Sequence, residues 1–174
     1  MPYLLLKEVP RYECLQAAAA RVPGTDPAIC QLFLNILHTG DVVSRGEAEF
    51  LARHGLNQAR LIMLVLLDNS ENGSLRSSEL AEHASVSRAT ITGLLDTMEK
   101  AGLVERGEDP RDRRASCVKI TSKGSARLRK VQPLLIRWTE EILSALNVRE
   151  RAQLVTLLQK TQKAFSERYH ESYS

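Results

Sequence analysis

The chain has 174 residues, 43% hydrophobic, 26% charged and 5% aromatic, enough for one helix-rich domain or a compact domain with an appended lobe. No stretch reaches the roughly 20 apolar residues of a membrane span, and Met1 to Leu6 lacks the basic flank and apolar length of a secretion signal. The formal net charge is only +3, but Arg76 to Lys130 holds twelve Lys or Arg against eight Asp or Glu. The positive excess therefore sits in one segment, where a phosphate-binding surface is expected, although solvated helix faces are often as basic.

The first 25 residues are punctuated by Pro2, Pro10, Pro23 and Gly24, with room for one short alanine-rich helix from Glu13 to Arg21. Asp26-Pro27 reads as an N-cap followed by proline at the first helical position. An apolar stripe at three-and-four spacing then runs Ile29, Leu32, Phe33, Ile36, Leu37, Val43, Phe50, Leu51. Gly40 is a place for this helix to bend or break, with Asp41 as a cap for a restart, and Gly55 ends it. Asn57 caps a helix from Gln58 to Leu67 whose inner face is Leu61, Met63, Leu64 and Leu67. Asp68 to Ser74 is a turn cluster.

Ser77 or Ser78 opens a short helix through Ala84, Ser85 and Val86 turn, and Ser87 caps a longer helix through Lys100 that Gly102 terminates. Leu103 to Arg106 and Cys117 to Ile120 read as short strands around the charged loop Gly107 to Ser116, a hairpin wing. Thr121 caps a long helix through about Ala145 with Pro133 inside it, a potential kink. Asn147 and Glu150 have the spacing of a capping box for the last helix. That helix presents Leu154, Leu157, Leu158, Thr161 and Phe165, and the tail is expected to fray from Tyr169.

Two helices joined by a tight turn at 78–95 form a helix-turn-helix pattern. Leu80 and Ala81 line the inside of the first helix, Ala84 is small at the crossing, and Ile91, Leu94, Leu95 and Met98 bury the second. The face left outward is Ser85, Ser87, Arg88, Ala89, Thr90, Thr92 and Asp96. Small hydroxyl residues admit such a face to a major groove about 12 Å wide, and Arg88 has the reach for a guanine edge. Hydroxyls and helix-terminal N–H groups, together with Ser77, suit phosphates. Arg111, Asp112, Arg113 and Arg114 crowd the wing tip, and arginine is drawn to a narrow minor groove. The bland alternatives are an ordinary helical hairpin with polar caps and a solvated loop.

These residues resemble the MarR family of winged-helix regulators. The likeness runs through Gly55-Leu56-Asn57, Leu80-Ala81, Ser87-Arg88-Ala89-Thr90-Ile91-Thr92, and Leu94 to Arg106. It continues through Asp109-Pro110-Arg111-Asp112-Arg113-Arg114-Ala115 and Ile120-Thr121-Ser122-Lys123-Gly124, covering about residues 27 to 168. The resemblance implies a mainly α fold: a winged helix-turn-helix with a small β-hairpin wing, and a helical dimerisation region formed by the N- and C-terminal helices. The expected division is an N-terminal extension at 1–25, a dimerisation region at 26–56 and 121–169, and a DNA-binding region at 57–120. It implies an obligate, triangular homodimer whose recognition helices face successive major grooves of a pseudo-palindromic operator. In the family an Asp-x-Arg at the wing tip puts its arginine in the minor groove and pairs its aspartate with a nearby arginine, which maps to Asp112 and Arg114. Gly93 stands where many members carry a DNA-touching basic residue, and the first 25 residues have no counterpart in the minimal pattern.

The resemblance also implies release from DNA, usually as a repressor, by a small aromatic or phenolic effector. Tyr12, His38, Arg53 and His54 are pocket candidates by position only. One branch of the family senses peroxide through an N-terminal cysteine, so Cys14 and Cys30 are the redox candidates. The three cysteines form no C-x-x-C or metal spacing, which fits a reduced, cytoplasmic setting. The four histidines show no metal-ligand spacing, and no nucleophile elbow, phosphate loop or dinucleotide fingerprint occurs. No enzyme activity, metal or cofactor is expected. The competing reading outside regulation is a winged helix that docks on a protein with little dependence on salt.

Overall fold

The computed structural model describes the backbone of residues 17–18, 20–24, 26–84, 87–109 and 112–171, and their side chains other than 27, 88, 108, 109, 112–116 and 169–171. In chain order it contains α1 (Pro27–Arg53), α2 (Gln58–Asp68), a 3-10 turn (Glu71–Gly73), β1 (Ser74–Arg76), α3 (Ser77–His83), α4 (Arg88–Lys100), β2 (Val104–Asp109), β3 (Asp112–Ile120), α5 (Ser122–Leu143) and α6 (Val148–Glu171). It is the mainly helical, winged helix-turn-helix architecture expected, with a small antiparallel sheet in the order β1-β3-β2.

Helix starts follow the side-chain caps. Asp26 accepts from the Ala28 N–H at 2.9 Å, Asn57 from Arg60 at 2.9 Å, Ser87 from Thr90 at 3.2 Å and Thr121 from Gly124 at 3.0 Å. Asn147 accepts from the Glu150 N–H at 3.1 Å while Glu150 takes the Asn147 N–H at 2.8 Å, the reciprocal box. α6 continues through Glu171, past Tyr169 where fraying was expected. α3 instead opens on Arg76, whose N–H donates to the Glu79 carboxylate at 2.7 Å.

Three expectations need correction. α1 runs 27 residues unbroken through Gly40. One interior glycine costs only about 1 kcal/mol, and Asp41, rather than capping a restart, pairs with Arg45 one turn on at 2.7 Å. The turn cluster after α2 ends in a strand: β1 pairs antiparallel with β3, Ser74 opposite Lys119 and Arg76 opposite Cys117. The wing strands are longer than the apolar tetrads suggested. The pairing of β2 with β3 runs from Val104↔Ile120 out to Asp109↔Asp112, so most of the charged "loop" belongs to the two strands, with an irregularity at Glu108/Asp109. The outer part of the ribbon is charged in sequence and carries no apolar alternation to read.

The end of α4 and the start of α5 are joined atom by atom. Gly102 sits at φ +69. The Gly102 N–H reaches the Glu99 carbonyl at 2.8 Å and the Leu103 N–H reaches that of Met98 at 2.9 Å, a glycine-terminated helix end. From α5, Thr121 Oγ1 donates to the Gly102 carbonyl and Lys123 Nζ to that of Ala101, each at 2.7 Å. Gly124 is buried in this joint, and a Cβ there would lie 2.2 Å from the Leu103 carbonyl oxygen.

The core is formed by Leu51, Leu56, α2, Leu80 and Ala81 of α3, Ile91, Leu95 and Met98 of α4, Leu103, Val104, Val118, Leu128 and Val131. Outside that span the apolar stripes of the long helices stay in water: Leu32 is 60% exposed, Leu37 53%, Leu157 52% and Phe165 55%. Among the described residues no helix is long and apolar enough to cross a membrane.

Gly124→Ala is expected to destabilise by about 2–3 kcal/mol, because the close approach is to backbone that cannot rotate away. That corresponds to a fall in Tm of about 5–10 °C. Gly93→Ala, where no heavy atom lies within 4 Å of the new Cβ, is expected to hold or raise Tm slightly. Thermal melts of the two variants side by side check both.

Candidate nucleic-acid interface

α3 and α4 pack through Leu80, Ala81, Ile91, Leu95 and Met98, all buried. The opposite side of α4 presents Ser87, Ala89, Thr90 and Thr92 to solvent. Ser87 Oγ lies 2.8 Å from Thr90 Oγ1 as well as capping the Thr90 N–H. Beside Arg88, the first turn of α4 thus carries N–H groups and the Ser87 and Thr90 hydroxyls, a polarity suited to an anionic backbone. Ser77, at the first turn of α3, is partly exposed.

Arg88 is the first residue of α4, and Asp112, Arg113 and Arg114 open β3 at the far end of the wing. The backbone therefore places the arginines of the predicted wing tip on the β2–β3 ribbon. Their side chains, and Ser85 and Arg111 altogether, lie outside the described residues. So do Tyr12 and Cys14.

A contact absent from the sequence reading joins the two parts of this surface. Arg106 of β2 reaches across to α4, where its Nη2 donates to the Asp96 carboxylate at 2.5 Å and to the Thr92 carbonyl at 3.3 Å. Its Nη1 lies 3.8 Å from Glu99 Oε2, and its backbone N–H donates to Glu99 Oε1 at 3.3 Å. The partners lie 7, 10 and 14 residues away in sequence, so no local spacing announces them.

Three of the positions expected to line an effector pocket, His38, Arg53 and His54, lie along α1 and at its end. His38 and His54 stand sixteen residues apart on α1, about 24 Å at 1.5 Å per residue. Arg53 is exposed and lies 3.6 Å from Glu49. His54 is packed: its Nδ1 is 2.8 Å from the Phe50 carbonyl, its ring lies 4.5 Å from that of Phe50, and Phe50 in turn lies 5.4 Å from Trp138. The His54 carbonyl accepts from Arg127 Nη1 at 2.8 Å, tying the end of α1 to α5. Cys30 is half-buried in an open cleft of about 440 Å³ with Ile29, Phe33, Leu34 and Phe165. Among the described residues no cluster of His, Cys, Asp or Glu could hold a metal ion.

Residues 56–116, the span holding the helix-turn-helix and wing, match the MarR family profile. The chain is 30% identical over 128 residues to the HTH-type transcriptional repressor YetL of Bacillus subtilis, covering 74% of this chain and 77% of that protein. It is 32% identical over 124 residues to the transcriptional repressor MprA of Escherichia coli, covering 71% and 70%. A crystal structure of a cysteine-to-serine mutant of MarR from E. coli, complexed with operator DNA, shares its fold at a TM-score of 0.66 and 27% identity. The match covers 77% of this chain and 95% of that one. With the fold, the matched span and these relatives in agreement, the chain belongs to the MarR family of transcription regulators, which are not enzymes.

Proposed function

We propose that the protein is a homodimeric repressor that binds a pseudo-palindromic operator in duplex DNA and is released by a small molecule. One observation carries the DNA-binding part. α4 buries Ile91, Leu95 and Met98 and turns Ser87, Ala89, Thr90 and Thr92 outward, with an arginine-bearing wing held beside it. A relative of the same fold has been crystallised on operator DNA, and two relatives bear the name repressor, which supports the same role here. In this reading residues 57–120 meet DNA in the cytoplasm. Ser77, Ser85, Ser87 and Thr90 take phosphates, Arg88, Ala89 and Thr92 face base edges, and Arg111, Arg113 and Arg114 serve the minor groove, with Asp112 orienting Arg114.

Residues 26–56 and 121–169 form the dimerisation region, with 1–25 as an extension. Support comes from the aliphatic and aromatic side chains that α1, α5 and α6 leave in solvent. An apolar surface of that extent on long helices is stable when a second copy covers it. The effector is expected to be a small aromatic or phenolic anion. Among the described residues the cleft beside Cys30 is lined by Ile29, Phe33, Leu34 and Phe165 and by no charged group, so that cleft fits apolar packing better than anion capture. Cys30 there has the surroundings of a small apolar residue, and no observation favours redox sensing over ligand release.

Fluorescence anisotropy on DNA flanking the gene, at two salt concentrations and against random duplex, tests the reading. Selective, salt-steep binding is expected, and weak binding equal to random duplex contradicts it. Arg114→Ala should weaken all sites and lower the log–log salt slope by about 1, whereas Arg88→Ala should relax preference at particular bases at a cost of about 1–3 kcal/mol. Small phenolic acids added to the same complex should lower the anisotropy if they act as effectors, and an unchanged signal removes that class.

Sedimentation should find the protein at twice the 19.5 kDa chain mass. Leu157→Glu, at a position 52% exposed in the single chain, should shift it toward monomer with its helical signal retained. A monomeric wild type contradicts the assembly.

A further inference from the structure

We propose that Arg106 is a positioning residue that holds the recognition helix and the wing as one rigid unit, so that both reach DNA together. This rests on the DNA-binding reading above and adds a role for a residue that need not touch DNA. Arg106 spans the gap between β2 and α4, and its acceptors Thr92, Asp96 and Glu99 succeed one another turn by turn on one side of the helix. Contacts at three heights along a 13-residue helix oppose rolling and tilting, where a single contact would oppose neither.

The chemistry selects arginine. A guanidinium presents several N–H donors in a fixed plane and serves a carboxylate, a second carboxylate and a backbone carbonyl at once, whereas an ammonium is a point charge on a flexible stem. The Thr92 carbonyl is an acceptor on a residue of the proposed reading face, so the brace reaches the element that reads DNA. β2 is also the strand that leads to the wing tip, and its partner β3 begins with Asp112, Arg113 and Arg114. Loss of the brace would leave α4 capped and buried at its apolar face but free to turn relative to the arginines. Asp96 and Glu99 have a second consequence. Two carboxylates on a DNA-facing helix would repel phosphates unless a cation sits on them, and Arg106 is that cation.

The variants Arg106→Ala, Arg106→Lys and Asp96→Asn, each alone and combined with Arg114→Ala, separate positioning from its alternatives. Thermal melts show that each remains folded. Arg106→Ala should weaken operator binding by about tenfold or more, and Arg106→Lys should recover only part of it. Arg114→Ala should then cost far less in the Arg106→Ala background than in wild type, because an unbraced wing no longer delivers Arg114. If Arg106 were simply a phosphate contact, the two losses would multiply.

Asp96→Asn gives the opposite sign. Removing a negative charge near DNA should tighten binding by electrostatics alone, whereas loss of the brace should weaken it. Asp96→Asn that binds as tightly as wild type or tighter, with multiplicative Arg106 and Arg114 losses, overturns the proposal.

Amide hydrogen exchange of the free protein reads the brace without DNA. Exchange at 104–107 should quicken in Arg106→Ala and Asp96→Asn while 61–67 in α2 stays unchanged, and unchanged exchange in both segments overturns the brace itself. A wild type with no preference for operator over random duplex overturns the DNA-binding reading and the role of Arg106 in it. Quickened exchange in that case would still establish the mechanical link.

Discussion

Every buried apolar side chain among the described residues lies between Leu51 and Val131, and the rest of the molecule is arranged by that limit. The core closes over α2, α3, α4, the small sheet and the first turns of α5. α1 joins it only at its end, through Leu51 and, less deeply, Phe50, and α6 supplies none of the core residues. Helices as long as 27 and 24 residues therefore carry apolar stripes that the single chain leaves in water. Helical stability in proteins comes mostly from packing an apolar face. The same limit leaves the flanking helices with apolar stripes that the proposed second copy would cover. Their mutual contacts within one chain include Phe33 with Phe165 at 6.2 Å and Phe50 with Trp138 at 5.4 Å.

Within the core-bearing part, the joint between α4 and α5 connects recognition to assembly. Thr121 takes the carbonyls of Gly102 and Leu103 through its hydroxyl and its N–H, Lys123 takes that of Ala101, Gly124 packs against Leu103, and Arg127 one turn later holds the His54 carbonyl at the end of α1. A shift of α5 would therefore be felt at the C-terminal end of the recognition helix and at the junction of α1 with α2 together. That gives the proposed control by an effector a physical route that uses short, directional bonds to backbone.

Much of this was legible because the chain writes its helix ends in side chains. Asp26, Asn57, Ser87, Thr121 and Asn147 each take the backbone N–H that their type and position predict. The buried faces of α2 and α4 follow directly from apolar spacing. What escaped was nonlocal. Ser74–Arg76 becomes a strand only because β3 passes beside it, and the outer wing is held by backbone pairing that charged side chains do not advertise. Gly40 carries a local signal for a break, but the helix on both sides of it continues through. Arg106 looked like any charged strand residue, since its acceptors on α4 become neighbours only after the chain has turned at Gly102. His38 stands sixteen residues before His54 along α1, a separation that sequence position alone does not turn into a pocket.

In the proposed complex two copies present α4 to successive major grooves while their wings lie over the flanking minor grooves. Hydroxyl-radical footprinting on DNA that the full-length protein selects from genomic fragments tests it most directly. The account predicts two equivalent blocks of protection related by a two-fold axis, their centres about one helical turn or a multiple of it apart, with outer minor-groove protection that Arg114→Ala erases. A single unpaired block, or protection indifferent to Arg114, would contradict it.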